Sequence, residues 1–322
     1  IPAKKIVYSG VAKTQAEIQY ALSLGIFQFN VESEPELELI SKVATSVDAT
    51  AAISFRINPD VCAQTHAKIS TGKAENKFGV PISKAKAAYA RAAQLPGIKV
   101  QGVDVHIGSQ LTNLAPFEEA YQRIAELVVE LRTAGHDINV IDVGGGLGIT
   151  YLDEVIPSKQ AYADMVKAQL GHLNCKIVLE PGRSIAANAG IFVTQVEFLK
   201  SNGEKNFAII DGGMNDLIRP SLYSAWQAIL PVEQGKQGEE RCYDLVGPVC
   251  ETGDFLGKNR NMILSAGDLL AVRSSGAYGF AMSSNYNSRN RPAEVVVDGE
   301  QIILARRRET IEDQYALEQL MP

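Results

Sequence analysis

The chain has 322 residues, 46% of them hydrophobic and 21% charged, and its 37 acidic against 31 basic side chains give a formal charge of −6. That length holds one large domain or two ordinary ones, with a core that needs no disulfide or metal staple. The acidic balance excludes general nucleic-acid binding, which needs a basic face, and no apolar run reaches the length of a membrane span. Cys62, Cys175, Cys242 and Cys250 are widely spaced with no C-x-x-C pair. Together with the absence of a signal-peptide pattern, this points to a reducing cytoplasm, with neither a disulfide framework nor a metal site.

β-rich runs at residues 5–8, 27–31, 52–57, 100–106, 140–143 and 176–179 alternate with helical patterns. Thr14 and Glu17 form a capping box ahead of Ile18, Ala21 and Leu22 at helical spacing, and Gly25 is the stop signal. Ser33 and Glu36 repeat the device before Leu37, Leu39, Ile40 and Val43. Further helices are expected over 84–93, over 117–133 with Gly135 as its end, and over 161–170. Strand–helix alternation implies βαβ units and a parallel sheet. Six units are legible where a (β/α)8 TIM barrel has eight. Either the sheet is open, or two units, on the order of 60 residues, precede Ile1. The absent Met favours the second option, a barrel whose first two strands are not in this chain.

Beyond about Gly190 the rhythm changes. Strands are expected over 192–199, 207–210, 243–246, 269–273, 294–297 and 301–305, with Asp298-Gly299 as a hairpin turn. The expected division is a (β/α) barrel over residues 1–188 and an antiparallel β domain over 189–322, closed by a helix over 311–320.

The unusual residues stand at the C-terminal ends of the expected strands, where barrel enzymes build their sites. Gly144, Gly145 and Gly146 directly follow a strand. Their spacing does not fit the G-x-G-x-x-G dinucleotide loop, and taken alone they suit a tight turn as well as a phosphate cradle. Glu180-Pro181-Gly182-Arg183 follows the next strand and offers close backbone approach with a fixed cationic fork. In a barrel completed upstream, these two loops follow strands seven and eight, the usual phosphate site, which favours the cradle. Glu180 alone reads better as a structural ion-pair partner. His106, ordinarily a packed residue, stands beside Gly108 and Ser109 and could serve as a flat platform for a ring, with Ser109 as a phosphate donor. Arg219 and Tyr223 share a face if their turn is helical. Cys250, next to Glu251 in a glycine-rich loop, suggests a reactive thiol, although an isolated small cysteine is more often buried filler.

These residues, with Tyr8-Ser9-Gly10, the 29–33 stretch Phe-Asn-Val-Glu-Ser, Asn76-Lys77-Phe78-Gly79, the 218–223 stretch, Cys250 to Asp254 and Gly276-Ala277-Tyr278, carry a resemblance in order along the whole chain. The chain resembles the diaminopimelate decarboxylase family. That family lies in the alanine-racemase-like group of pyridoxal phosphate enzymes, which also holds ornithine and arginine decarboxylases. The resemblance implies a barrel followed by a β domain, and a head-to-tail homodimer with shared sites. His106 would stack on the cofactor ring. Ser109, Gly144, Gly145, Gly146, Pro181, Gly182, Arg183 and Tyr278 would hold the cofactor, chiefly its phosphate, and Glu180 would pair with the pyridine nitrogen. Racemases of the group have an arginine in that place. A carboxylate favours the protonated ring, the better acceptor for electrons left by CO2, and so favours decarboxylation.

By the same resemblance, Cys250 is the proton donor to the partner subunit's site. Arg183, Arg219, Tyr223 and Tyr278 would bind the substrate, the first three at its distal carboxylate, and Glu251 would take its distal ammonium. The implied reaction converts meso-diaminopimelate to L-lysine and CO2. The alternatives are a related decarboxylase of ornithine, arginine or carboxynorspermidine, or a non-catalytic relative without the cofactor lysine. The family carries its cofactor on a lysine in a Tyr-Ala-x-Lys-Ala type segment. No such segment occurs here, and the lysine is expected upstream of Ile1.

Overall fold

The computed structural model describes residues 1–61 and 77–321. Cys62 and Asn76 of the sequence reading lie outside them. The chain divides into two compact units, one of Ile1–Gly148 with Val155–Pro181 and the other of Ile149–Glu154 with Gly182–Pro322.

The first unit runs β1 (Val7–Tyr8), α1 (Gln15–Leu24), β2 (Gln28–Val31), α2 (Glu34–Ser46), β3 (Ala51–Asn58), β4 (Val80–Pro81), α3 (Ala85–Ala92), β5 (Ile98–Asp104), α4 (Ala115–Thr133), β6 (Val140–Asp142), α5 (Lys159–Leu170) and β7 (Lys176–Val178). Strands β1, β2, β3, β5, β6 and β7 lie side by side in that order, all parallel, with β4 beside β3. These are the six strands expected from the sequence, forming an arc of a (β/α) barrel. The Thr14–Glu17 capping box is complete, and Gly25 ends α1 in the left-handed conformation. At α2, Ser33 Oγ accepts the Glu36 amide, but the Glu36 carboxylate turns to Lys13, 2.8 Å away in a buried ion pair.

Phe29, Ile53, Phe55, Ile57, Val103 and Ile141 of the strands are buried in one cluster with Leu37 and Ile40 of α2, Tyr89 of α3, and Phe117, Tyr121 and Ile124 of α4. Each such side chain contributes about 1.5–3 kcal/mol relative to exposure. Parallel strands usually read as continuous apolar runs. Here the alternate positions are polar and buried: Asn30, Ser54, Arg56, Asn58, Asp104 and Asp142. The register places Arg56 opposite Asp104 and Asp104 opposite Asp142. The sheet therefore has an apolar face toward the helices and a polar face that converges on the strands' C-terminal ends.

The second unit contains α6 (Gly182–Ala186), β8 (Phe192–Asn202), β9 (Lys205–Ile210), α7 (Arg219–Tyr223), β10 (Ile229–Pro231), β11 (Arg241–Val246), β12 (Phe255–Met262), β13 (Leu269–Val272), β14 (Glu294–Asp298), β15 (Gln301–Arg306) and α8 (Ile311–Tyr315). Its main sheet has the order β10-β13-β8-β9-β11-β12. The expectation of a wholly antiparallel domain is corrected at one place, because β9 and β11 pair in parallel. The thirty intervening residues, 211–240, carry α7 and β10 and are long enough for the crossover that parallel pairing needs. Val196, Leu245, Leu256, Leu270 and Val272 are fully buried and form this unit's core. The Asp298-Gly299 turn joins β14 to β15 as expected. Helix α8 stops at Tyr315, short of residue 320; none of its residues is buried, so no packing sustains further turns.

Candidate active site

In the first unit the polar face ends in a connected set of groups. Ser9 Oγ donates to Glu180 Oε1 at 2.7 Å. Asn30 Nδ2 reaches both Ser9 Oγ and Asp142 Oδ2 at 3.0 Å, and Gln28 Nε2 holds Asn30 Oδ1 at 2.8 Å. Asp142 Oδ1 accepts the Gly144 amide at 3.0 Å, and the Glu180 amide donates to Gly144 O at 2.7 Å. Glu180 and the glycine loop are thus fixed to each other through backbone and side chains alike. Burial, and then the neighbouring Glu180 carboxylate, push the Asp142 carboxyl up to about 6.

Of the predicted site residues, the first unit brings together His106, Ser109, Gly144, Gly145, Gly146 and Glu180. The Gly145 amide donates to His106 Nδ1 at 3.2 Å, so the proton of the neutral ring sits on Nε2. The loops after β5 and β6 are zipped by Leu111 N to Gly146 O and Gly148 N to Leu111 O, both 2.9 Å, which carries Ser109 alongside the glycines. A Cβ on Gly145 would lie 2.3 Å from Glu180 O. Gly145→Ala is therefore expected to lower stability by about 1–3 kcal/mol. Thermal melting checks this. Arg56 pairs with Glu32 at 2.9 Å and stacks on Phe78 at 4.8 Å, and the Gly79 amide caps Glu32 Oε2 at 2.8 Å. Lys77, Phe78 and Gly79 thus belong to the packing behind the site.

Burial and the charge of Arg56 push His106 down to about 4. An unfolded histidine titrates near 6.5, so this group's stabilisation is complete above that pH and is lost as pH falls toward 4, about 3 kcal/mol in all. Asp142 has the opposite sign and partly masks the loss between about pH 4 and 6. The stability gap between wild type and His106→Phe in urea unfolding is expected to close by up to about 3 kcal/mol from pH 7 to pH 4. A gap independent of pH contradicts the assignment.

In the second unit Arg183 Nη1 donates to Tyr151 OH at 2.5 Å, and its guanidinium lies 4.6 Å from the Tyr278 ring. Arg219 stacks on Tyr151 at 4.3 Å. α7 is helical, so Tyr223 follows Arg219 by one turn, as the spacing suggested. Arg183 Nε and Arg219 Nη1 are buried without a hydrogen-bond partner, and neither residue forms an ion pair among the described residues. Burial lowers the Arg219 pKa, with the Arg183 charge adding to it. Two guanidiniums with unmet donors amid tyrosines form a receptor for an anion. Tyr151, the hub of this cluster, escaped the sequence reading; an aromatic residue soon after a glycine run was the available signal.

Cys250 and Glu251 are exposed on the β11–β12 loop. Buried Asp254 fixes that loop by accepting Val249 N at 2.7 Å and Met214 N at 2.6 Å. Asn287 Nδ2 donates to Cys250 Sγ at 3.2 Å, and Tyr286 OH donates to Glu251 Oε2 at 2.7 Å. Neither Tyr286 nor Asn287 was among the predicted residues.

Comparison with known proteins decides the family. A profile described as "Pyridoxal-dependent decarboxylase, pyridoxal binding domain" matches residues 1–187. The chain is 56% identical to the diaminopimelate decarboxylase of Vibrio cholerae over 99% of this chain and 76% of that protein. The chain belongs to the pyridoxal-dependent decarboxylases, among the diaminopimelate decarboxylases. The corresponding Pseudomonas aeruginosa protein is 54% identical over 99% of this chain and 76% of its own. The crystal structure of Helicobacter pylori diaminopimelate decarboxylase complexed with L-lysine superposes with a TM-score of 0.95 at 42% identity, covering 99% of this chain and 79% of that one. Family membership makes the chain a carboxy-lyase of pyridoxal phosphate type. No helix among the described residues is long and apolar enough to cross a membrane.

Proposed function

We propose that this chain decarboxylates meso-diaminopimelate to L-lysine and CO2 in the cytoplasm, as a homodimer whose subunits share their active sites. The observation that carries the substrate choice is the pair Arg183 and Arg219, whose buried donors Nε and Nη1 lack partners. Ornithine offers only an ammonium at its far end. Diaminopimelate offers an ammonium beside a carboxylate, and the unmet guanidinium donors suit that carboxylate, with Tyr223 and Tyr278 beside them in the proposed assignment.

The residues fit the cofactor. The glycine run carries no side chains of its own and sits tightly against the Glu180 backbone, with the Gly144 and Gly145 amides bonded to Asp142 and His106, and His106 is neutral with a fixed ring. In this reading Ser109, the three glycines, Pro181, Gly182, Arg183 and Tyr278 hold pyridoxal phosphate, His106 lies against its ring, and Glu180 keeps a proton on the ring nitrogen. Pyridoxal phosphate, when bound, supplies the ring that draws in the electron pair left by departing CO2. Cys250 then gives a proton to Cα in the partner subunit's site, and Glu251 accepts from the distal ammonium. The family segment that bears the cofactor lysine does not occur in residues 1–322.

The test is CO2 release by the full-length protein from meso-diaminopimelate against L-ornithine. Preference for ornithine removes the distal-carboxylate assignment. Arg219→Ala is expected to raise KM for diaminopimelate about 10–100-fold with little change in kcat, the loss of a charge-assisted hydrogen bond at a non-reacting end. An unchanged KM counts against Arg219 as a clamp.

A further inference from the structure

Cys250 and Glu251 are adjacent, and so are the two residues that hold them. Asn287 Nδ2 meets Cys250 Sγ, and Tyr286 OH meets Glu251 Oε2. Asn287 (φ 56°) and Ser288 (φ 53°) lie in the left-handed region, which side chains other than glycine and asparagine rarely adopt. The turn is held in this conformation from several directions. Arg289 Nε and Nη2 reach Asn215 Oδ1 (3.1 Å) and Asp211 O (2.6 Å), Asn285 Nδ2 donates to Arg289 O (3.0 Å), and Gln314 Nε2 donates to Ser288 O (3.1 Å). A strained turn fixed on all sides and aimed at two reactive side chains marks a functional constraint.

We infer that the Tyr286–Asn287 turn is a clasp that positions Cys250 and Glu251 as a pair, Asn287 aiming the thiol and Tyr286 fixing the carboxylate. The inference rests on the proposed roles of Cys250 as proton donor and Glu251 as acceptor for the distal ammonium. Asn287 and Tyr286 act through those residues and are positioning residues. An N–H donated to sulfur fixes the direction of Sγ. The O–H of Tyr286 occupies Glu251 Oε2 and leaves Oε1 to face a substrate cation.

Asn287→Gly separates this role from a structural one. Glycine adopts the left-handed conformation without strain but donates nothing to sulfur, so a turn that only shaped the backbone would keep full activity and equal or greater thermal stability. The clasp instead predicts unimpaired stability with kcat reduced about 10-fold and KM for diaminopimelate unchanged. Tyr286→Phe should show the reverse split, a KM raised about 10-fold at nearly constant kcat. Wild-type kcat in Asn287→Gly, or wild-type KM in Tyr286→Phe, overturns the clasp. Cys250→Ala is the control: if it keeps full turnover, the donor assignment itself fails, whereas its loss alongside an unaffected Asn287→Gly rejects the clasp alone.

Discussion

Glu180→Gln is expected to lower kcat by about 10²–10³-fold while leaving cofactor occupancy nearly intact. One oxygen of Glu180 accepts from Ser9 Oγ, and no partner occupies the other among the described residues. A glutamine has the same shape and keeps the Ser9 contact, but it carries no charge to hold a proton on a ring nitrogen. The contacts assigned to phosphate and ring, from Gly144, Gly145, Gly146 and His106, do not involve the Glu180 side chain. The variant should therefore bind the cofactor, show its absorbance, and turn over slowly. A second readout follows from the shared electrostatics: without the Glu180 charge the Asp142 carboxyl moves back toward its ordinary range, although burial, the larger cause, still holds it up. Wild-type kcat in a cofactor-loaded Glu180→Gln enzyme removes Glu180 from the chemistry.

Much of the site was legible because barrel chemistry stands at strand ends, and strand ends announce themselves. The apolar run before Asp142 and the glycines after it mark a boundary that needs no knowledge of the fold, and Glu180 is marked the same way by the run before it. The helices were legible through period and caps, as at Thr14 and Gly25. What stayed hidden was whatever depends on distant partners. Ser9 and Glu180 are 171 positions apart, so the bond between them is invisible until the sheet is assembled. Asn30 reads as one polar residue in a strand, yet it joins Ser9 to Asp142. Tyr286 and Asn287 follow the loop they hold by 35 and 37 positions and had no motif of their own. Strand β12 was missed for a local reason: its polar run Lys258-Asn259-Arg260-Asn261 resembles a loop, and Asn259 breaks the extended conformation at φ 53°.

Cys250→Ala is expected to reduce kcat about 10²-fold, with cofactor affinity and melting temperature unchanged. The thiol is exposed, so its removal leaves no cavity, and the loop does not depend on it because Asp254 holds Val249 and Met214 directly. The loss would therefore be chemical. Combining this variant with Glu180→Gln tests where the thiol acts. If Cys250 serves the site of its own subunit, every site in a mixed dimer carries one defect or the other, and activity stays at the level of the single variants. If it serves the partner's site, each mixed dimer has one site with both defects and one with neither. Random mixing of equal amounts would then restore about a quarter of wild-type activity, since half of the dimers are mixed and one site of two is intact in each. Recovery near that level, appearing only after subunit exchange, establishes the shared site; no recovery after verified exchange rejects it.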